Sequence, residues 1–206
     1  MGKSKVSLFY AAQTGDTDTI KSILDEDSDA VDSTYNGWAP LHFAAENNQK
    51  DAVELLVDER DADSEIQGPG KITPLMCAAM FGHTEVVEVL LLTAAADDED
   101  KEGALALHYA CCGGYEEAAK LLIEDEETTV SKADSEGATP LHWAAGNGWG
   151  EDLISLLITE GADVNSKDNN NLTPVDWAGE QGHDETANLL RDRGGVSGDE
   201  LDQISE

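Results

Sequence analysis

One ten-residue pattern recurs six times along this chain, and it limits the fold more than any single residue does. The copies read VSLFYAAQTG (6–15), APLHFAAENN (39–48), TPLMCAAMFG (73–82), LALHYACCGG (105–114), TPLHWAAGNG (139–148) and TPVDWAGEQG (173–182). Their third residues, Leu8, Leu41, Leu75, Leu107, Leu141 and Val175, are spaced by 32 to 34 residues. A fixed period of this size marks stacked units, none of which can bury its apolar face alone.

Each copy encodes a short helix. Thr is suited to cap the helix with its hydroxyl, and Pro fits the first turn, where its missing N–H costs nothing. Leu41, Ala44 and Ala45 stand at i, i+3 and i+4, one helical face, and the small alanines admit a close neighbour. Gly82, Gly114, Gly148 and Gly182 end this helix. A Val/Leu-rich second helix follows, as in GHTEVVEVLLL (82–92) and EEAAKLLI (116–123).

Thr-Pro-Leu-His-x-Ala-Ala at this period resembles the ankyrin repeat, over roughly residues 4 to 195. The resemblance implies an all-α ankyrin-repeat solenoid of six helix-turn-helix units joined by β-hairpin-like loops. The units are expected at about 4–34, 35–67, 68–100, 101–133, 134–167 and 168–195, in one domain spanning 1–195. They are numbered 1 to 6 below.

His42, His108 and His142 hold one repeat position. A catalytic residue would not be needed three times, and in the family this histidine makes structural hydrogen bonds between repeats. His83 and His183 share another position and are read the same way. Tyr10, Phe43, Tyr109, Trp143 and Trp177 form an aromatic series interrupted by Cys77; it is read as packing between repeats with a partly exposed edge. Cys111 replaces a core alanine. No cysteine–histidine set has zinc spacing, and no cofactor or metal is expected. GKS (2–4) has no upstream glycine of a phosphate loop. DEDSDAVD (25–32) lacks the glycine and final Glu of a calcium loop and reads as a solvated acidic turn. The chain is expected not to be an enzyme.

The charge is the outlier. Among 206 residues, 44 acidic against 12 basic give a net −32. Phosphate-mediated binding of nucleic acid or of an acidic membrane surface would be repulsive, so neither is an expected partner. No apolar run reaches membrane-spanning length. The sequence is read as a soluble, unprocessed, monomeric cytoplasmic protein, with a nuclear location as a secondary expectation. Acidic clusters at 25–29, 58–65, 97–100 and 124–127 follow second helices and would stack into a ridge. Two readings of the ridge stay open: attraction of a Lys/Arg-rich protein partner, and adaptation to a saline interior. Residues 196–206 are expected to form an acidic disordered tail.

The function implied is protein–protein recognition, as an adaptor, inhibitor or chaperone-like binder, or as a recognition domain detached from a larger enzyme. In the family, specificity resides at hairpin tips and at the pair of residues before the helix-ending glycine. Those positions give Tyr35, Trp38, Ile72, Glu102 and Glu136 at the tips, and Met80, Phe81, Cys112 and Asn147 at the helix ends. Met80 and Phe81, with Ile72 and Trp38 nearby, make an apolar cluster ringed by acids, the pattern of a binding hot spot.

Overall fold

The computed structural model describes residues 3–125 and 128–205. Gly2, Glu126, Glu127 and Glu206, which belong to the GKS stretch, the 124–127 cluster and the tail, lie outside them. Helices alternate along the chain: α1 (Lys3–Thr14), α2 (Thr17–Glu26), α3 (Pro40–Glu46), α4 (Lys50–Glu54), α5 (Pro74–Met80), α6 (Thr84–Leu90), α7 (Ala106–Gly113), α8 (Glu116–Glu124), α9 (Pro140–Gly146), α10 (Glu151–Thr159), α11 (Pro174–Glu180), α12 (Asp184–Asp192) and α13 (Gly198–Ser205). The odd-numbered helices α1 to α11 pack on one another in sequence, and so do the even-numbered α2 to α12. Two layers result, and the solenoid core lies between them.

The alanines explain how close the layers come. Ala44, Ala45, Ala78, Ala79, Ala110, Ala144 and Ala145 are fully buried, as is Cys111. Burial pushes the Cys111 thiol above its ordinary range, so it sits there as a small neutral hydrophobe. At the turn between paired helices the backbone is left-handed: φ is 66° at Gly82, 73° at Gly114 and 75° at Gly148. Unit 2 uses Asn48 there (φ 56°), a residue that tolerates this region better than most. The residue after each turn covers the preceding unit's turn, as Trp149 does over Gly114 and Tyr115 over Gly82.

Among the described residues there is no strand, only an isolated antiparallel bridge between Tyr35 and Trp38. Hairpin-like tips instead chain to each other through single backbone bonds. Lys101 N–H donates to Gly70 O (2.8 Å), Ser135 N–H to Glu102 O (2.7 Å) and Asn169 N–H to Glu136 O (2.9 Å).

The helix starts differ from expectation. Only Thr73 accepts in the expected way, from Met76 N–H at 3.3 Å. The recurrent device runs in reverse, with the third helical residue serving the cap's own N–H. Ala39 N–H donates to His42 Nδ1 (3.2 Å), Leu105 N–H to His108 Nδ1 (3.0 Å) and Thr139 N–H to His142 Nδ1 (3.1 Å). The Thr139 hydroxyl turns to the same nitrogen at 2.9 Å. An accepting Nδ1 leaves the proton on Nε2. That nitrogen donates into the next unit, to Ile72 O (2.9 Å), Ala138 O (3.3 Å) and Leu172 O (3.2 Å). Burial holds all three imidazoles below their usual pKa, hence neutral. His42, His108 and His142 are therefore structural staples between units.

The tail also departs from expectation. Residues 198–205, expected to be disordered, form α13, and a capping box starts it. Glu200 N–H donates to Ser197 Oγ (3.3 Å), and Ser197 N–H to Glu200 Oε2 (3.1 Å). Asp176 stands where other units have histidine, and its Oδ2 accepts from Gly198 N–H at 2.8 Å. Asp202 anchors the helix to Lys167 (2.6 Å) and Asn171 (2.9 Å). The tail thus occupies the place of a further unit's hairpin.

Candidate protein-binding surface

At the hairpins that lead into the first helices of units 4, 5 and 6 (the first beginning at Asp100, the last residue of unit 3) an aspartate organises each loop. Asp100 Oδ1 accepts from Glu102 N–H (2.9 Å) and Ala104 N–H (2.8 Å), and Asp134 and Asp168 repeat this with their own loops. The other oxygen holds the aromatic nine residues on. Tyr109 O–H donates to Asp100 at 2.6 Å, Trp143 Nε1–H to Asp134 at 3.0 Å and Trp177 Nε1–H to Asp168 at 3.0 Å. Tyr109, Trp143 and Trp177 are thus tied into the loop framework, whereas Tyr10 is 67% exposed. Asp100, counted with the acidic cluster 97–100, is buried and belongs to the loop framework.

Unit 3 lacks both partners. Gly68 donates to Ile72 O as Asp100 N–H does to Ala104 O, so it stands at the aspartate position, and Cys77 replaces the aromatic. The vacated space is used. A Cβ on Gly68 would come within 2.7 Å of the Trp38 ring, so only glycine lets Trp38 lie there, edge-on to His42 at 5.1 Å. Trp38 itself occupies a loop position that is Ala104 and Ala138 in units 4 and 5.

These exchanges open a cavity of about 360 Å³ between α3 and α5. Trp38 and Phe43 wall it on one side, Ile72, Met80 and Phe81 on the other, with Cys77 between and Glu46 at the edge. Burial, with Glu46 nearby, pushes the Cys77 thiol up to about 12, so the interior presents no charge of its own. Phe81 is 45% exposed and stacks on His83 (5.9 Å) instead of folding into the core.

Four of the nine residues expected from the sequence, Trp38, Ile72, Met80 and Phe81, therefore meet around one cavity. Tyr35 does not line it; its ring lies 5.6 Å from Phe9. Glu102 and Glu136 lie two units further on and line a second cleft of about 350 Å³. Cys112 and Asn147 are neighbours, 3.7 Å from Sγ to Nδ2, outside both. Phe43, Cys77 and Gly68 were missed as site residues. The signal for them was the joint break of the Asp-and-aromatic spacing in one unit.

Two of the acidic clusters, 58–65 and 97–100, come together across neighbouring units. Burial and the charges of Glu65, Asp97 and Asp63 raise the Asp98 carboxyl above the usual carboxylate value. Repulsion thus crosses from the unit 2 cluster to the unit 3 cluster.

An ankyrin-repeat family model matches three times, over residues 4–68, 62–134 and 126–200. The chain is an ankyrin-repeat protein. A crystal structure of EF0377, an ankyrin repeat protein, superposes with a TM-score of 0.77 at 30% identity, covering 90% of this chain and 96% of that one. Curated relatives match over shorter stretches. A probable E3 ubiquitin-protein ligase, XBOS31, of Oryza sativa subsp. japonica is 40% identical over 86 residues, 41% of this chain and 19% of the ligase. An L-asparaginase of Dirofilaria immitis is 35% identical over 82 residues, 40% of this chain and 14% of the enzyme. Mouse ankyrin repeat and SAM domain-containing protein 6 is 35% identical over 91 residues, 43% and 10% of the two chains. The chain thus spans less than a fifth of these relatives. Proteins with such different names are similar to it through repeats alone, and ankyrin repeats serve as protein–protein interaction modules. No described helix is long and apolar enough to cross a membrane.

Proposed function

We propose that this chain is a non-catalytic recognition module that binds a protein partner on its hairpin and first-helix face, with the cavity between α3 and α5 as the anchor. The observation that carries the reading is the joint exchange at Trp38, Gly68 and Cys77. It makes an open apolar pocket in a chain that is otherwise densely acidic. A large apolar side chain seated there would lose water on all sides, the setting in which interface residues contribute most. The acidic surroundings favour a Lys/Arg-rich partner by steering its approach.

A photo-crosslinking residue at Phe81 tests this against one at Leu92, which is 81% exposed and outside the pocket. A discrete adduct from position 81 and none from 92 is expected. Met80→Ala with Phe81→Ala should then cost about 2 kcal/mol or more in affinity for that partner, with the melting temperature nearly unchanged. A large stability loss with binding intact would assign both side chains to the core and move the site elsewhere.

A further inference from the structure

The second cleft, between α7 and α9, differs in kind from the first. Tyr109 and Trp143 line it, together with Asp100, Glu102, Asp134 and Glu136. The two rings meet edge-to-face at 5.9 Å. Asp100 and Asp134 accept hydrogen bonds from amides, the Tyr109 hydroxyl and the Trp143 indole. Those donors are neutral, so they orient the carboxylates without cancelling their charge. Lys101 offsets Glu102 at 3.1 Å, while Asp100, Asp134 and Glu136 also line the cleft, so its net charge stays negative. Two aromatic rings beside several carboxylates suit a guanidinium or ammonium group, through charge-assisted hydrogen bonds and cation–π contact.

The two clefts lie on one continuous face. Their hairpin tips are joined in series by the Gly70–Lys101 and Glu102–Ser135 backbone bonds, and α3, α5, α7 and α9 pack in order. The apolar pocket is centred between α3 and α5, the acidic cleft between α7 and α9, so two helix spacings separate them. At about 8–10 Å per spacing that is roughly 16–20 Å. An extended chain at about 3.3–3.6 Å per residue covers it in about five or six residues.

We infer that the partner is an extended peptide segment with a large apolar residue and an Arg or Lys five or six positions apart, the first in the Trp38–Phe81 pocket and the second in the Tyr109–Trp143 cleft. This rests on the recognition function proposed above and adds a specificity rule to it. The test uses labelled synthetic peptides in a Gly/Ser/Ala background, each with one Phe and one Arg, their separation walked from about three to nine residues. Binding to the full chain is read by fluorescence anisotropy at low salt. Affinity should peak at a separation of five or six, about tenfold above the extremes. Glu102→Gln with Glu136→Gln should flatten the peak and abolish the preference for Arg over Gln, and Phe81→Ala should weaken every peptide. Binding that ignores spacing yet still falls with Phe81→Ala would overturn the two-point inference and leave the anchor standing. Binding indifferent to Phe81 would overturn both. If no peptide binds, the inference fails, and the crosslinking experiment decides the anchor separately.

Discussion

The hairpins of units 4 to 6 and the hairpin of unit 3 are closed by the same backbone hydrogen bond, yet they use their side chains differently. In the former, an aspartate and an aromatic nine residues apart lock each loop to its helix. In unit 3 both members are gone, and Trp38 of unit 2 has moved into the space that an aspartate side chain would need. Losing one member alone would leave buried donors without an acceptor. Losing both lets the framework close around a different content, here an apolar pocket. The comparison suggests that the Asp–aromatic lock is a coupled pair, dispensable only as a pair.

The sharpest way to break that idea is to remove one half. Asp100→Ala strips the acceptor from Glu102 N–H, Ala104 N–H and the Tyr109 hydroxyl. At roughly 1–3 kcal/mol per buried group left unsatisfied, discounted for the exposed Glu102 amide, the loss should be about 3 kcal/mol by denaturant unfolding. Tyr109→Phe removes the other partner and should cost less. Combined with Asp100→Ala it should add almost nothing, a coupling on the order of 1 kcal/mol. Strict additivity would show that the two groups act independently.

A reverse experiment fills the unit 3 space. In Gly68→Ala the new Cβ meets the Trp38 ring and lies 3.2 Å from His42 Nε2, so overpacking should cost about 1–3 kcal/mol. Trp38→Ala should relieve most of that penalty. If Gly68→Ala is as stable as the parent, Trp38 does not depend on the missing Cβ, and the pocket has some other origin.

The histidine staples give a contrast that pH can read. Unit 3 has Met76 at this position, and Thr73 N–H reaches only its sulfur at 3.5 Å. The folded imidazoles of His42, His108 and His142 sit below the ordinary value of 6.5 because they are buried. The unfolded state therefore takes up protons first as pH drops through 6.5, and stability should fall from about pH 7.5 downward until the folded imidazoles themselves protonate. His108→Met should be less stable at pH 7.5 and show a shallower decline. Asp98 acts with the opposite sign: its carboxyl is raised in the folded chain, so its repulsion is relieved as pH falls toward that raised value. An unchanged slope in His108→Met would mean that His108 is not protected from protonation by folding.

Much of this molecule was legible in sequence because its signals repeat. A period read six times defined the helices, and a histidine found three times in one slot could not be an active site. Trp38, Ile72, Met80 and Phe81 could be grouped because they are large and apolar at positions that repeat geometry places on one face. What escaped had no repetition to reveal it, or needed two registers read together. Asp100 looked like one more acid in a run, although its spacing from Tyr109 recurs in Asp134–Trp143 and Asp168–Trp177. The helix at 198–205 was hidden by its acidic composition, although Ser197 and Glu200 have capping-box spacing. The pocket depends on residues 38, 68 and 77 from two units, a correlation invisible in any single copy.

The smallest expected effect concerns the ridge where the unit 2 and unit 3 clusters face each other. Asp98 lies against Glu65, Asp97 and Asp63, so Asp98→Asn should raise the melting temperature slightly at low ionic strength. The gain should vanish near 0.5 M salt, roughly, where charges further apart than several ångströms no longer interact. The parent chain then separates the two readings of the acidity. If the ridge exists to draw a basic partner, its affinity should drop steeply with salt while the melting temperature levels off once nearby charges are screened. Under adaptation to a saline interior, stability should keep climbing toward molar salt as self-repulsion across the whole surface is suppressed. A melting temperature unchanged between low and high salt would sink the adaptation reading and leave the ridge as a surface whose charge is meant for something else.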